Sequence, residues 1–304
     1  MASSVLRGVI DLGTNTFHLL IAEVGPGGIL REVYRERRFV KLASEGIEYI
    51  GEAPFGRGLE TMSHFAGVLQ RHGVSRVTAI GTAALRRAEN GAAFMAEVMK
   101  QTGLTVQLIS GDAEARLITE GVLAALPPLE ERLLIMDIGG GSVEYIIVEN
   151  DTVRWRRSFP IGISVLYRLF HRSEPISPAE RSELQAYLSE QTHALTEALA
   201  RFPTEHLAGA AGNFDVLAER LLPVGEQPGA TSHRLDFTPF PDFLERLVSS
   251  DAEARALIPG VPAERVDMIV VAMLLIDFTV RIAGIRRVTV SQYALKEGVL
   301  LEGT

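Results

Sequence analysis

Two segments of this chain are near copies of each other, and that duplication constrains the fold more than any other feature. Ile10-Asp11-Leu12-Gly13-Thr14-Asn15-Thr16 and Met136-Asp137-Ile138-Gly139-Gly140-Gly141-Ser142 each close an apolar run with an Asp and pass into small turn residues. A second strand-like run follows each one, over residues 17–22 and 143–148. Apolar runs on both sides of such a turn predict a tight β-hairpin in each place. Within the turn, backbone N–H groups and hydroxyls converge on an anion, while the Asp ahead of it can hold a divalent cation directly or through water. One Asp-Gly hairpin alone would be only a turn. Two, with matching strands on both sides, predict facing phosphate clamps at Gly13, Thr14, Asn15 and Thr16 and at Gly139, Gly140, Gly141 and Ser142, with Asp11 and Asp137 as the carboxylates beside a divalent cation.

A chain of 304 residues has room for two separate cores, and 47% hydrophobic with 22% charged residues is the balance of a globular protein, not a disordered one. The absence of cysteine excludes disulfides, thiol catalysis and cysteine-ligated zinc, which fits a cytoplasmic location. Residues 1–8 are too short and too polar for a signal segment. The longest apolar run, 268–276, falls far short of the roughly 20 residues that span a bilayer, so no membrane partner is expected. A net charge of −8 argues against a nucleic-acid partner, and any phosphate chain must be held by local features. Arginines cluster at 35–38, 86–87 and 154–157. The first cluster is expected to be a solvated face.

The first third alternates strands and helices, with helices predicted over 58–72, 90–103 and 112–126 and strands over 77–81 and 106–109. Pro127-Pro128 breaks this pattern ahead of the second copy, so the division is expected near residue 125, giving an N-terminal domain 1–124 and a C-terminal domain 125–304 with the cleft between them. The second part adds long helices over 177–200 and 263–283, strands near 207–211 and 288–291, and a Pro- and Gly-rich loop over 223–241.

Three further residues stand where chemistry would need them. Glu114 falls in the first turn of a helix after Gly111, where it can act as a general base or merely favour the helix dipole. Arg86 follows a strand and a Gly81-Thr82-Ala83-Ala84 turn, where its guanidinium can grip phosphate oxygens. Glu144 follows the second clamp and can face the cleft to hold metal-bound water, or face solvent instead. His18, after the first clamp, can touch a phosphate or simply pack.

The segments Asp11-Leu12-Gly13-Thr14-Asn15-Thr16-Phe17, Gly81-Thr82-Ala83-Ala84-Leu85-Arg86-Arg87-Ala88-Glu89-Asn90, Ile109-Ser110-Gly111-Asp112-Ala113-Glu114-Ala115-Arg116-Leu117-Ile118 and Asp137-Ile138-Gly139-Gly140-Gly141-Ser142 resemble, in this order, the exopolyphosphatase / guanosine pentaphosphate phosphohydrolase (Ppx/GppA) family. That family lies in the superfamily of actin, heat-shock-chaperone ATPases and sugar kinases. The resemblance implies an α/β fold of two ribonuclease H-like (actin-like) domains around a cleft, with the last helix packing back on the first domain. It implies Mg²⁺-dependent hydrolysis of the terminal phosphoanhydride of inorganic polyphosphate, with Glu114 as catalytic base. Guanosine pentaphosphate is the alternative substrate, and a homodimer is the implied assembly. The additional helical C-terminal region common in the family is not seen before Thr304, which suggests short chains as substrate.

Ser291-Gln292-Tyr293-Ala294-Leu295-Lys296-Glu297-Gly298 resembles the family's closing segment, with Gln and Lys in place of the more usual Asp and Arg, and two further departures stand out. Ala113 takes the place of the first Glu of a Glu-Glu-Ala-Arg segment, and Gly209-Ala210-Ala211-Gly212-Asn213 lacks the hydroxyls of a Gly-Ser-Ser-Gly-Thr-like turn. Together they keep open a non-catalytic polyphosphate or alarmone sensor. An ATP-dependent sugar or acetate kinase would share the two clamps, but the match around Glu114 argues against it.

Overall fold

In the computed structural model, residues 5–129, 131–210, 212–222 and 230–302 are described. The chain opens with β1 (Val5–Leu12), β2 (Thr16–Val24) and β3 (Leu30–Phe39), then α1 (Glu52–Arg71), β4 (Arg76–Gly81), α2 (Ala83–Arg87), α3 (Gly91–Thr102), β5 (Val106–Leu108) and α4 (Gly111–Ala125). The second copy follows as β6 (Leu133–Ile138), β7 (Val143–Glu149) and β8 (Thr152–Phe159), with α5 (Ile163–Phe170), α6 (Pro178–Gln191) and α7 (His193–Arg201). Next come β9 (His206–Ala210), α8 (Gly212–Leu221), β10 (Ser232–Arg234), α9 (Phe240–Val248) and α10 (Ala252–Ala256). The chain ends in α11 (Ile269–Ala283), β11 (Arg287–Ser291) and α12 (Leu295–Leu301).

The sequence repeat is a repeat of topology. One sheet runs β3-β2-β1-β4-β5 and the other β10-β11-β9-β6-β7-β8. In each, a three-strand antiparallel meander is extended by two parallel strands: β4 and β5 beside β1, β9 and β11 beside β6. The parallel strand β6 is buried along its whole length, as a sheet covered on both faces demands. Packed side chains fill three clusters: one in the first half around Phe17, Phe65 and Phe94, one in the second around Tyr145, Phe214 and Leu275, and one between the sheets. That middle cluster draws on β1, β2, α4, β6, β7 and α12.

α4 and α12 join the halves. A Cβ on Gly298 would overlap the Leu117 backbone carbonyl, and one on Gly121 would overlap the Ala294 carbonyl. The two helices therefore cross in backbone contact, which only glycine permits. α12 thus returns to pack on α4 and on β1 and β2 of the first sheet, and we propose that the domains divide near residue 125, where α4 ends.

Several elements differ from the sequence expectation. The helix expected over 177–200 is two, α6 and α7, parted at Thr192, whose hydroxyl donates to Leu188 O at 2.7 Å and closes α6. The helix expected over 263–283 begins as a 3-10 turn at Ala263–Arg265, and α11 starts only at Ile269. α1 begins at Glu52, with Pro54 in its first turn, where proline costs no hydrogen bond. Residues 83–84, expected in a turn, open α2. The expected 223–241 loop contains β10 and the start of α9, while its residues 223–229 lie outside the described residues, as do 1–4 of the N-terminal segment, Ala211 and Thr304. No helix among the described residues is long and apolar enough to cross a membrane.

Candidate active site

The two hairpin turns are built alike. Gly13 N–H donates to Thr16 O at 3.1 Å, and Gly139 N–H donates to Ser142 O at 3.0 Å. An added Cβ would stand 2.8 Å from Thr16 O in the first turn and 3.0 Å from Ser142 O in the second, so glycine is required at the first corner and favoured at the second. The turns also face each other. A Cβ on Gly140 would lie 2.8 Å from Thr14 Cβ and 2.9 Å from Asn15 Nδ2, and one on Gly141 would lie 2.8 Å from Thr14 Oγ1. Ser164, in the first turn of α5, donates to Asn15 Oδ1 at 2.8 Å and ties the pair together.

A cavity of about 480 Å³ opens beside them. Its wall carries both clamps together with Asp11, Asp137, Glu114 and Glu144, so every predicted site residue but Arg86 lines one cleft. Arg86 stands just behind: its Nη1 donates to Glu114 Oε2 at 2.9 Å and to Ile109 O at 2.7 Å. The repeat fixes the other carboxylates. Asp11 pairs across the ladder with His18, and Asp137 pairs with Glu144 in the same register. Cross-strand partners share a face, so all four side chains point to the cleft.

Burial raises all four carboxylates, and the Glu114 charge adds to the rise at the other three. Burial pushes Asp11 up to about 8, aided by the Glu114 charge, and Asp137 up to about 7 for the same two reasons. Glu144 goes well above its usual range, mainly through burial with Glu114 and Asp137 adding, although Ser158 Oγ donates to its Oε1 at 2.6 Å. Burial also raises Glu114, against the pull of Arg86. His18 moves the other way: burial and then the nearby Lys296, Arg37 and Arg35 keep the imidazole neutral.

Asp11 Oδ1 is buried without a hydrogen-bond partner. A hard cation held by oxygen ligands would satisfy that atom and lower all four carboxylates. Among the described residues no three acidic, His or Cys side chains converge as a closed metal cage. A cation there would draw on one or two carboxylates and complete its shell with waters or substrate oxygens.

The cleft is also lined by basic residues that pattern reading did not place in the site, Arg35, Arg37, Lys41, Arg265 and Lys296. Arg35 and Arg37 are exposed, as expected of a solvated 35–38 face, and the alternation of β3 turns that face to the cleft, where Arg35 Nη2 reaches the buried Glu297 at 3.0 Å. Strand alternation was the available signal. Arg265 had none in its surroundings, yet it occupies the space over Gly212 and donates to Asn213 Oδ1 at 3.2 Å, where the segment expected as a turn without hydroxyls proves to be the end of β9 and the start of α8.

This geometry has close counterparts. The profile of the Ppx/GppA phosphatase family matches residues 20–304. The crystal structure of an exopolyphosphatase from Cytophaga hutchinsonii superposes with a TM-score of 0.93 at 36% identity, covering 98% of each chain. Exopolyphosphatase 1 of Mycobacterium tuberculosis is 27% identical over 97% of this chain and 87% of its own. Guanosine-5'-triphosphate,3'-diphosphate pyrophosphatase of Aeromonas hydrophila is 27% identical over 99% of this chain, which spans 60% of that protein's length.

Proposed function

The chain belongs to the Ppx/GppA phosphatase family and is by that kinship a phosphoanhydride hydrolase, and we propose that it removes the terminal phosphate of inorganic polyphosphate with Mg²⁺ as cofactor. The observation that carries this reading is the buried Glu114 carboxylate, which lines the same cleft as both glycine clamps and the Asp11 and Asp137 pair.

In this reading the terminal phosphoryl group lies between the clamps, where the Gly13–Thr16 and Gly139–Ser142 amides and hydroxyls neutralise its oxygens. Asp11 and Asp137 would hold the magnesium ion, which when bound supplies positive charge against the phosphoryl oxygens. Glu144, steadied by Ser158, would orient a water near it. Glu114 takes the proton from the attacking water, and its raised pKa brings it closer to the neutral range in which a general base works best. Arg86, behind the cleft wall, keeps Glu114 in place through its Nη1 bond. The leaving group is the chain shortened by one phosphate. The absence of cysteine is in keeping with a cytoplasmic setting.

Guanosine pentaphosphate is the second reading. The match to the Aeromonas pyrophosphatase supports it, as do the apolar Phe39, Ile163 and Met268 on the cleft wall, where a purine could rest.

Phosphate release from polyphosphates of several lengths and from guanosine pentaphosphate, with Mg²⁺, tests both. Glu114→Gln is expected to lower kcat at least about 100-fold, the usual share of a general base. Equal rates in wild type and Glu114→Gln would remove the base assignment, and no release from either would favour a sensor.

A further inference from the structure

We propose that Lys41 is a substrate-binding residue that grips the phosphate chain beyond the two clamps, and that Asp267 holds it only until substrate arrives. The proposal rests on the reading of the cleft as a site for a phosphate chain. Lys41 lies two residues past the end of β3, with backbone φ at 49°, a left-handed conformation that costs a lysine what it would not cost a glycine.

The surrounding hydrogen bonds hold it there. Val40 and Lys41 both donate their N–H to Asn15 O, at 2.9 and 2.8 Å, and Leu42 donates to Thr14 O at 2.8 Å. The segment thus hangs from the carbonyls of the first clamp, and the tight bend delivers the Lys41 side chain to the cleft wall. Strain kept at such a place is a common mark of function.

Across the mouth, Lys41 Nζ meets Asp267 Oδ2 at 3.3 Å. That is long for a charge-assisted contact, and both side chains stay partly open to water, at 34% and 49%. Asp267 precedes Met268, whose sulfur receives the Asn15 Nδ2 contact at 3.5 Å, so the pair bridges the halves right above the first clamp. A weakly held, hydrated carboxylate is a poor rival for phosphoryl oxygens, which carry more charge and meet an ammonium as a compact point charge. Substrate exchanges one anion for another at Lys41, and Asp267 acts as an internal competitor.

Calorimetric titration with inorganic tripolyphosphate, alongside steady-state phosphate release, tests this. Lys41→Ala is expected to raise Kd and KM about tenfold with kcat within about twofold, the mark of a contact made equally in ground and transition states. Lys41→Arg keeps the charge and should stay close to wild type. Asp267→Asn removes the competitor and should lower both Kd and KM.

A pair that merely fastened the two halves would move Lys41→Ala and Asp267→Asn in the same direction, and that result overturns the proposal. Unchanged Kd in Lys41→Ala overturns it too. Melting temperatures within about 2 °C of wild type are expected for these half-exposed groups, so lost binding would not reflect lost folding. Glu114→Gln with undiminished release would instead strike the catalytic reading, and the tripolyphosphate Kd values would still decide the role of Lys41.

Discussion

Asp11 and His18 in the first repeat occupy the places of Asp137 and Glu144 in the second, so one backbone pattern presents a neutral base on one side and a second acid on the other. The shifts at Asp11 and Asp137 have a consequence for stability. Both fold with a pKa above the unfolded value of 3.8, so the folded protein keeps protons that the unfolded chain gives up, and stability falls as pH rises from about 4 through about 7 and about 8. A cation bound to the ionised pair opposes that loss. Differential scanning fluorimetry in a chelator should show the melting temperature dropping between about pH 5 and about pH 8, with Mg²⁺ raising it more at the higher pH. Equal Mg²⁺ effects at both ends would count against Asp11 and Asp137 as its ligands. At this scale the sequence disclosed the acids and glycines, because turn chemistry is local. It did not disclose Lys41 or Arg265, whose positions depend on a left-handed bend and on a chain segment far away in sequence.

Among elements, α4 bears most on the site, since it carries Glu114 in its first turn. Ser110 caps it, with Oγ accepting from Ala113 N–H at 3.1 Å. Asp112 in the same turn receives Arg156 of β8 through both guanidinium branches, at 2.5 and 2.7 Å. The start of α4 is therefore pinned by its own cap and by the second half of the molecule. Ser110→Ala should cost about 1 kcal/mol of stability, read as a lower urea midpoint at unchanged slope. An unaltered midpoint would mean that the tertiary contacts alone hold the helix start. α4 was readable in advance to within a residue because an amphipathic period, a cap and a proline pair frame it. The break at Thr192 was not, since neither glycine nor proline marks it and a hydroxyl bonded within its own helix does the work. The site's alternation on β3 was present in the sequence but was masked by four consecutive charged residues.

For the whole molecule, the duplicated meander explains why the architecture was visible from one chain: two like hairpins need two like sheets, and each sheet needs parallel strands beside it to bury its inner face. How the halves meet could not be read so, because the α4 and α12 contact rests on bare backbone at Gly121 and Gly298. Gly298→Ala should destabilise by more than about 2 kcal/mol, since the new methyl group has a carbonyl in its path and neither helix can yield without moving a whole half. Thermal unfolding would reveal it, and a loss below about 0.5 kcal/mol would show the helix pair to be loosely seated. The interleaving of Gly140 and Gly141 with Thr14 and Asn15 carries a last implication. Neither half owns a complete jaw, so the bite is gauged by the main chain of one copy pressing on side chains of the other, and inheritance must treat the two copies as one organ: a change tolerated by either in isolation can still spoil the grip they form together.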